Sequence, residues 1–167
     1  METFDKWFAI VNPVAGSGKG LSDWPLISKL LRDHHIVPEY AFTERKYHAI
    51  ELAVEAINNG FRKIMVVGGD GTIHEVVNGL FIQKAVPTTE VLVGVIAVGT
   101  GNDWIRMFGI PRKYSEAIRA IVSFSSVSVM FRLLVVKALR LSFSPRARIG
   151  HRPTRRFSIH YTASHRA

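Results

Sequence analysis

The stretch that decides the fold is Ile64-Met65-Val66-Val67-Gly68-Gly69-Asp70-Gly71-Thr72-Ile73-His74-Glu75-Val76-Val77-Asn78-Gly79-Leu80. Its four leading apolar residues, Ile64 to Val67, read as a strand buried on both faces. The turn Gly68 to Gly71 follows at once. Ile73, Val76, Val77 and Leu80 then recur at i, i+3, i+4 and i+7, the spacing of a helix with one apolar stripe. Thr72 and Glu75 stand at S/T-x-x-E spacing, so the sequence places Thr72 at the helix N-cap with Glu75 closing a capping box.

The same grammar repeats on either side. Upstream, residues 6–12 (KWFAIVN) are a strand candidate, and the Gly-rich turn Pro13 to Gly20 follows it. Trp24, Ile27, Leu30 and Leu31 then fall at helical spacing, Val37 to Phe42 reads as a short strand, and Ile50, Ala53, Val54 and Ile57 form another helix stripe that Asn59-Gly60 stops. Downstream, Val91 to Val98 is an apolar strand ending in Gly99-Thr100-Gly101-Asn102-Asp103, and Tyr114, Ala117, Ile118 and Ile121 close the patterned region. Apolar strands alternating with amphipathic helices predict a doubly wound α/β fold: a mostly parallel sheet with helices on both faces. In such a sheet the loops at the carboxyl ends of the strands share one edge, where ligands bind.

Those loops carry the chemistry. In Gly68 to Thr72 successive glycines let backbone N–H groups approach a phosphate, and the following helix adds a partial positive charge at its start. Asp70 is negative and suits Mg²⁺, a ribose hydroxyl or an acceptor hydroxyl better than phosphate; the bland alternative is a strand-to-helix turn built for geometry. Asn12, Pro13, Gly16, Ser17, Gly18 and Lys19 also suit phosphate, with Lys19 either neutralising it or standing solvated. The stretch is not a Walker A, which would need Gly at position 13 and Ser or Thr at position 20, where the chain has Pro13 and Gly20. Thr100 to Asp103 places small residues, an amide and a carboxylate at the same edge, or caps a helix through Asn102 or Asp103. His74 reads as an exposed helix residue, and Ser17 has no evident base partner.

Composition bounds the class. Of 167 residues 47% are hydrophobic, which favours a folded domain over disorder. There is no cysteine, and His34 and His35 are adjacent with the other histidines scattered, so no metal-ligand spacing stands out. The start METFDKWFAIVN carries early acids and a short apolar run, unlike a signal peptide, and no apolar run approaches a membrane span; a cytoplasmic protein is the expectation. The net charge of +9 lies wholly at one end: residues 1–122 hold 13 basic and 13 acidic residues, residues 123–167 hold 9 basic and none acidic. The pI therefore gives no reason to expect nucleic-acid binding by the folded part. The change in composition at 123 favours a segment foreign to the first part, by frameshift or truncation, over a native basic tail that meets anionic lipid.

In order and spacing, Asn12-Pro13 with Gly16, then Gly68 to Gly79 (GGDGTIHEVVNG), then Gly99-Thr100-Gly101-Asn102-Asp103 resemble the catalytic domain of the diacylglycerol kinase family, bacterial lipid kinases included. The resemblance covers about residue 6 to residue 122. GGDGT is shared with NAD kinases, which form the enzymatic alternative; the GT-x-ND turn favours the lipid kinases. The resemblance implies an ATP-dependent transfer of the γ-phosphate to a lipid hydroxyl such as that of diacylglycerol, with Mg²⁺ bridging the phosphates. It implies that Gly68, Gly69, Asp70, Gly71 and Thr72 surround the ATP phosphates, with Asp70 near the phosphoryl-transfer site. It implies that Asn12, Pro13 and Gly16 line the nucleotide, that Thr43 and Thr100 touch it, and that Asn102 and Asp103 shape their loop. The family continues into a second, β-rich domain that holds the lipid, the general base and further metal-linked acids. A stretch from 123 without an acid does not resemble it, so the expectation is the nucleotide-binding domain of a lipid kinase, inactive alone; the other alternative is a non-catalytic nucleotide-binding fragment whose basic tail contacts a membrane peripherally. The motifs choose neither the lipid nor an oligomeric state.

Overall fold

The computed structural model describes residues 6–99 and 103–125. Within them lie four strands and six helices: β1 Trp7–Val11, α1 Ala15–Ser22, α2 Trp24–Asp33, β2 Glu39–Phe42, α3 His48–Asn58, β3 Lys63–Gly68, α4 Asp70–Ile82, β4 Leu92–Ala97, α5 Asp103–Phe108 and α6 Tyr114–Ser125. A short 3-10 turn, Thr88–Glu90, leads into β4. The basic segment singled out in the sequence lies, from residue 126 on, outside the described residues, as do Thr100, Gly101 and Asn102.

The sheet order is β2-β1-β3-β4, and all three pairings are parallel. Alternation along each strand divides the side chains between two cores, one per face. Ile10, Ile64, Val66, Val93 and Val95 point to the face covered by α3, α4 and α5. Ala9, Val11, Met65, Val67, Ile96 and Val98 point to the other, under α2 and α6. Burial on both faces is why β3 and β4 read as unbroken apolar runs. It also yields the doubly wound α/β architecture that the sequence predicts.

The register matters for function. Val11 stands level with Phe42 on one side and Val67 on the other, and Gly68 stands level with Ala97. The four strands thus end together, and the loops that follow them form one rim. The shallow helix stop is also as expected: Asn59 caps α3 and Gly60 takes φ 95.

Two local expectations change. β2 begins at Glu39, not Val37, because Val37 is 73% exposed beside Pro38 and has no strand to pair with. The Gly-rich turn after β1 is not an open loop. It winds into α1, with Gly16 (φ 60), Ser17 (φ 61) and Gly18 (φ 91) forming a left-handed break inside it. Gly20 fits only as glycine, since a Cβ there would lie 1.8 Å from the Asn12 carbonyl oxygen.

Candidate functional site

The rim is assembled from loops that brace one another. The first contact comes from Asn12, whose backbone N–H extends the β1–β3 ladder by donating to the Val67 carbonyl at 2.9 Å. Its side-chain Nδ2 donates to Thr72 Oγ1 at 2.9 Å, and its Oδ1 accepts from the Val14 N–H at 3.1 Å. One amide therefore folds the β1–α1 turn back on itself and ties it to the start of α4. The Pro13 carbonyl accepts from the Leu21 N–H at 3.1 Å and closes the base of that turn.

The second contact joins the β3–α4 and β4–α5 turns. Asp70 Oδ2 accepts from the Asp103 N–H at 2.7 Å, and Oδ1 accepts from the Trp104 N–H at 3.2 Å. A carboxylate at the first N–H groups of α5 satisfies donors that have no partner within the helix. Beside it the Val98 N–H donates to the Gly68 carbonyl at 3.0 Å. Carboxylate oxygens offer about four lone-pair sites, so Asp70 retains acceptor capacity beyond these two bonds.

The third contact is bare backbone. A Cβ on Gly16 would lie 2.9 Å from Gly99 Cα and N, and a Cβ on Gly99 would lie 3.0 Å from Gly16 Cα. The turns after β1 and β4 thus cross above the end of β3 at a distance only two glycines permit. Gly68 is held similarly close to the Thr72 side chain, 2.6 Å from Oγ1 for an added Cβ.

The helix α4 opens at Asp70 with Gly69 at its N-cap in extended backbone and no side-chain cap. This corrects the capping-box expectation. Thr72 lies inside the first turn, buried, with its hydroxyl accepting from Asn12. Glu75 Oε2 accepts instead from the Ala49 N–H, 3.3 Å away at the start of α3. The start of α4 is left for backbone N–H groups, with Gly71 exposed and nothing within 4 Å of an added Cβ. That combination of open glycine, helix N-terminus and close backbone suits a phosphate.

Of the other residues named from sequence, Thr43 follows β2 and donates its N–H to the Val11 carbonyl at 2.9 Å, beside Asn12. Asp103 is exposed and pairs with Arg106 at 2.7 Å. Lys19 and Ser17 are exposed on the left-handed turn. His74 is exposed on α4, with Asn78 Nδ2 3.2 Å from its Nδ1. Sequence reasoning missed the segment from Glu44 to His48, where the Glu44 N–H donates to His48 Nδ1 at 3.1 Å and Tyr47 takes φ 67. Its one signal was position, directly after a strand at the rim. Among the described residues, no group of three or more His, Cys, Asp or Glu stands ready to hold a metal by itself. Among the described residues, an apolar cavity of about 190 Å³ runs between α6, residues 108–111 and the first half of β4, and no titratable side chain lines it. It has no chemistry for a nucleotide.

A sequence model of the diacylglycerol kinase catalytic domain matches residues 6–131, three quarters of the chain and every loop of this rim. The chain belongs to the diacylglycerol kinase catalytic domain family. The match favours the lipid-kinase expectation over the NAD-kinase alternative. Among the chain's relatives, a diacylglycerol kinase of Staphylococcus haemolyticus is 34% identical over 114 residues, covering 68% of this chain and 33% of that protein. A diacylglycerol kinase of Bacillus subtilis is 51% identical over 65 residues, 39% of this chain and 20% of that protein. The crystal structure of a diacylglycerol kinase from Bacillus anthracis superposes with a TM-score of 0.60 at 30% identity, over 74% of this chain and 41% of that one. The domain spans about a third of the length of the curated relatives it matches. Among its described residues no helix is long and apolar enough to cross a membrane.

Proposed function

We propose that this domain is the ATP-binding part of a lipid kinase that transfers the γ-phosphate of ATP to a lipid hydroxyl, with diacylglycerol as the leading acceptor. The observation that carries the reading is the mutual bracing of the turns after β1, β3 and β4, which holds the Gly-rich backbone at one sheet edge. Family membership supports the kinase class, and the open start of α4 supports phosphate at that place. In this reading the N–H groups of Gly69 to Thr72 receive the phosphates, and Asn12, Pro13 and Gly16 close over them. Thr43 and Thr100 are the threonines we assign to nucleotide contact, with Asn102 and Asp103 assigned to the turn after β4. Asp70 holds α5 in place and presents its remaining lone pairs toward the transferred group.

Mg²⁺ fits this donor set as an ion carried on the nucleotide. It keeps waters and binds through phosphates plus one or two carboxylates, and Asp70 is the carboxylate at the rim, against the Asp103 N–H, while the Asp103 carboxylate pairs with Arg106. Bound there, it would neutralise charge on the phosphates; the chain's own residues position and orient, which is most of the catalysis in phosphoryl transfer.

The matched segment is about a third of those relatives' length, and we place acceptor recognition, the general base and peripheral membrane contact on the part of those proteins that this chain does not cover. Residues 1–122 are then the nucleotide unit, and the basic segment from 123 is not the family's second domain. Two assays test the proposal. Calorimetric titration with Mg·ATP should give saturable binding to the 167-residue chain, and absence of binding at millimolar nucleotide would refute it. Substituting residues 6–125 for the matching segment of the Staphylococcus haemolyticus relative should yield phosphatidate from diacylglycerol and ATP. A folded chimera that phosphorylates NAD instead would refute the acceptor class.

A further inference from the structure

We infer that Glu75 is a positioning residue for the nucleotide site: it holds the start of α3, and through it the segment from Thr43 to His48, at the rim. The inference rests on the nucleotide reading given above.

The start of α3 lacks a cap of its own. Tyr47 at its N-cap is left-handed, at φ 67, and no side-chain cap bond forms there. A non-glycine residue stays in that region only where its surroundings hold it. The holding group comes from another helix. Glu75 Oε2 lies 3.3 Å from the Ala49 N–H, a partner 26 residues away and half-buried. A carboxylate at the second residue of a helix satisfies one of its orphan donors and meets the positive end of its dipole.

The reach of Glu75 depends on how closely α3 and α4 pack. One turn beyond it, a Cβ on Gly79 would lie 2.8 Å from both Ala53 Cβ and the Ile50 carbonyl oxygen. Only glycine lets the helices come this near. From Ala49 the restraint passes on by contact. His48 Nδ1 accepts from the Glu44 N–H at 3.1 Å, and the next residue back, Thr43, is fixed to the Val11 carbonyl at 2.9 Å. Val11 immediately precedes Asn12. One end of the 43–48 segment is therefore set by the sheet and the other by Glu75. This accounts for a glutamate and a glycine four residues apart on α4 without giving either a contact with substrate.

The test uses the 167-residue chain labelled with ¹⁵N, its amide spectrum, and Mg·ATP titration of E75Q, E75D and E75A. Glu75→Gln keeps an oxygen acceptor at the same reach and loses the charge. Glu75→Asp keeps the charge and withdraws the acceptor by one methylene. Loss of the cap in E75A should shift the amide resonances of residues 43–49 and weaken Mg·ATP about five- to tenfold, the scale of a lost helix cap. E75D should behave like E75A, and E75Q should stay within about twofold of the parent, since a neutral oxygen still accepts the Ala49 N–H. If E75A does not fold, the opposed behaviour of E75Q and E75D carries the same decision. The reverse order, with E75D like the parent and E75Q weak, would show that the charge itself acts on nucleotide or metal and would overturn the inference. Unmoved resonances at 43–49 in E75A and E75D would also overturn it. Failure of the parent chain to bind Mg·ATP would sink the kinase reading, while the resonances of residues 43–49 would still decide the positioning role.

Discussion

Alanine at Gly16 and alanine at Gly18 separate two costs that the turn after β1 combines. Both glycines have left-handed backbone, with φ 60 and φ 91. A side chain in that region costs about 1–2 kcal/mol, so both variants lose that much. They differ in what the new methyl meets. At Gly18 nothing lies within 4 Å. At Gly16 the methyl would stand 2.9 Å from Gly99 Cα and N and 3.2 Å from Val98 Cγ1. Two of these three atoms are backbone of the neighbouring turn, which cannot rotate aside as a side chain does. Relieving the clash means separating the turns after β1 and β4, at about 1–3 kcal/mol more. We expect G18A to lose about 1–2 kcal/mol and G16A about 2–5 kcal/mol. Urea unfolding with an unchanged m value measures the difference, and Mg·ATP titration shows whether the crossing matters for binding. G16A should weaken nucleotide more than G18A. Equal losses of stability and affinity in the two variants would refute the claim that this close approach organises the rim.

Asn12→Ala and Thr72→Val should each weaken nucleotide binding, and the double variant should be little worse than either, with a coupling of about 1 kcal/mol from their shared bond; additive losses would mean the two act separately. Gly79→Ala should force α3 and α4 apart and lose about 1–3 kcal/mol in denaturant unfolding, against little change for Gly71→Ala, whose added methyl meets open space. Tyr114 donates to Asp23 Oδ2 at 2.7 Å, and burial, reinforced by that bond, pushes its hydroxyl up to about 12. Because the folded value lies above the ordinary one of about 10, its stabilisation is present below pH 10 and lost as pH rises toward 12. Unfolding measured across that window should show stability falling in the parent and a flatter course in Tyr114→Phe.

The sequence made β3 and β4 legible because parallel strands covered on both faces need apolar residues at every position, and Ile64 to Val67 and Val91 to Val98 supply them. It made α3 legible because its stripe ends at Asn59-Gly60, and Gly60 indeed takes the left-handed turn. The rim was legible as an edge, since parallel strands in register must end together. How its turns are held was not. Thr72 and Glu75 have the spacing of a local capping box, yet each bonds to a group far away in sequence, Asn12 Nδ2 and the Ala49 N–H. Local spacing carries no information about a competing tertiary partner. The left-handed break at Gly16 to Gly18 was hidden for a related reason. Glycine permits such a backbone, but it is the approach to Gly99, 83 positions later, that makes use of it. Asp70 was singled out for chemistry by its charge, and its bonds to the Asp103 and Trp104 amides depend on the β3–β4 pairing that brings the two turns together.

The most direct test of the account is an amide-resolved NMR titration of the chain with Mg·ATP. Saturating shifts should appear at Gly16, Gly69, Asp70 and Gly71 together, with Thr43 following and the residues of the apolar cavity beside β4 unmoved. Saturating shifts confined to Leu92, Val93 and Ala120, or none at the glycines of the rim, would contradict it.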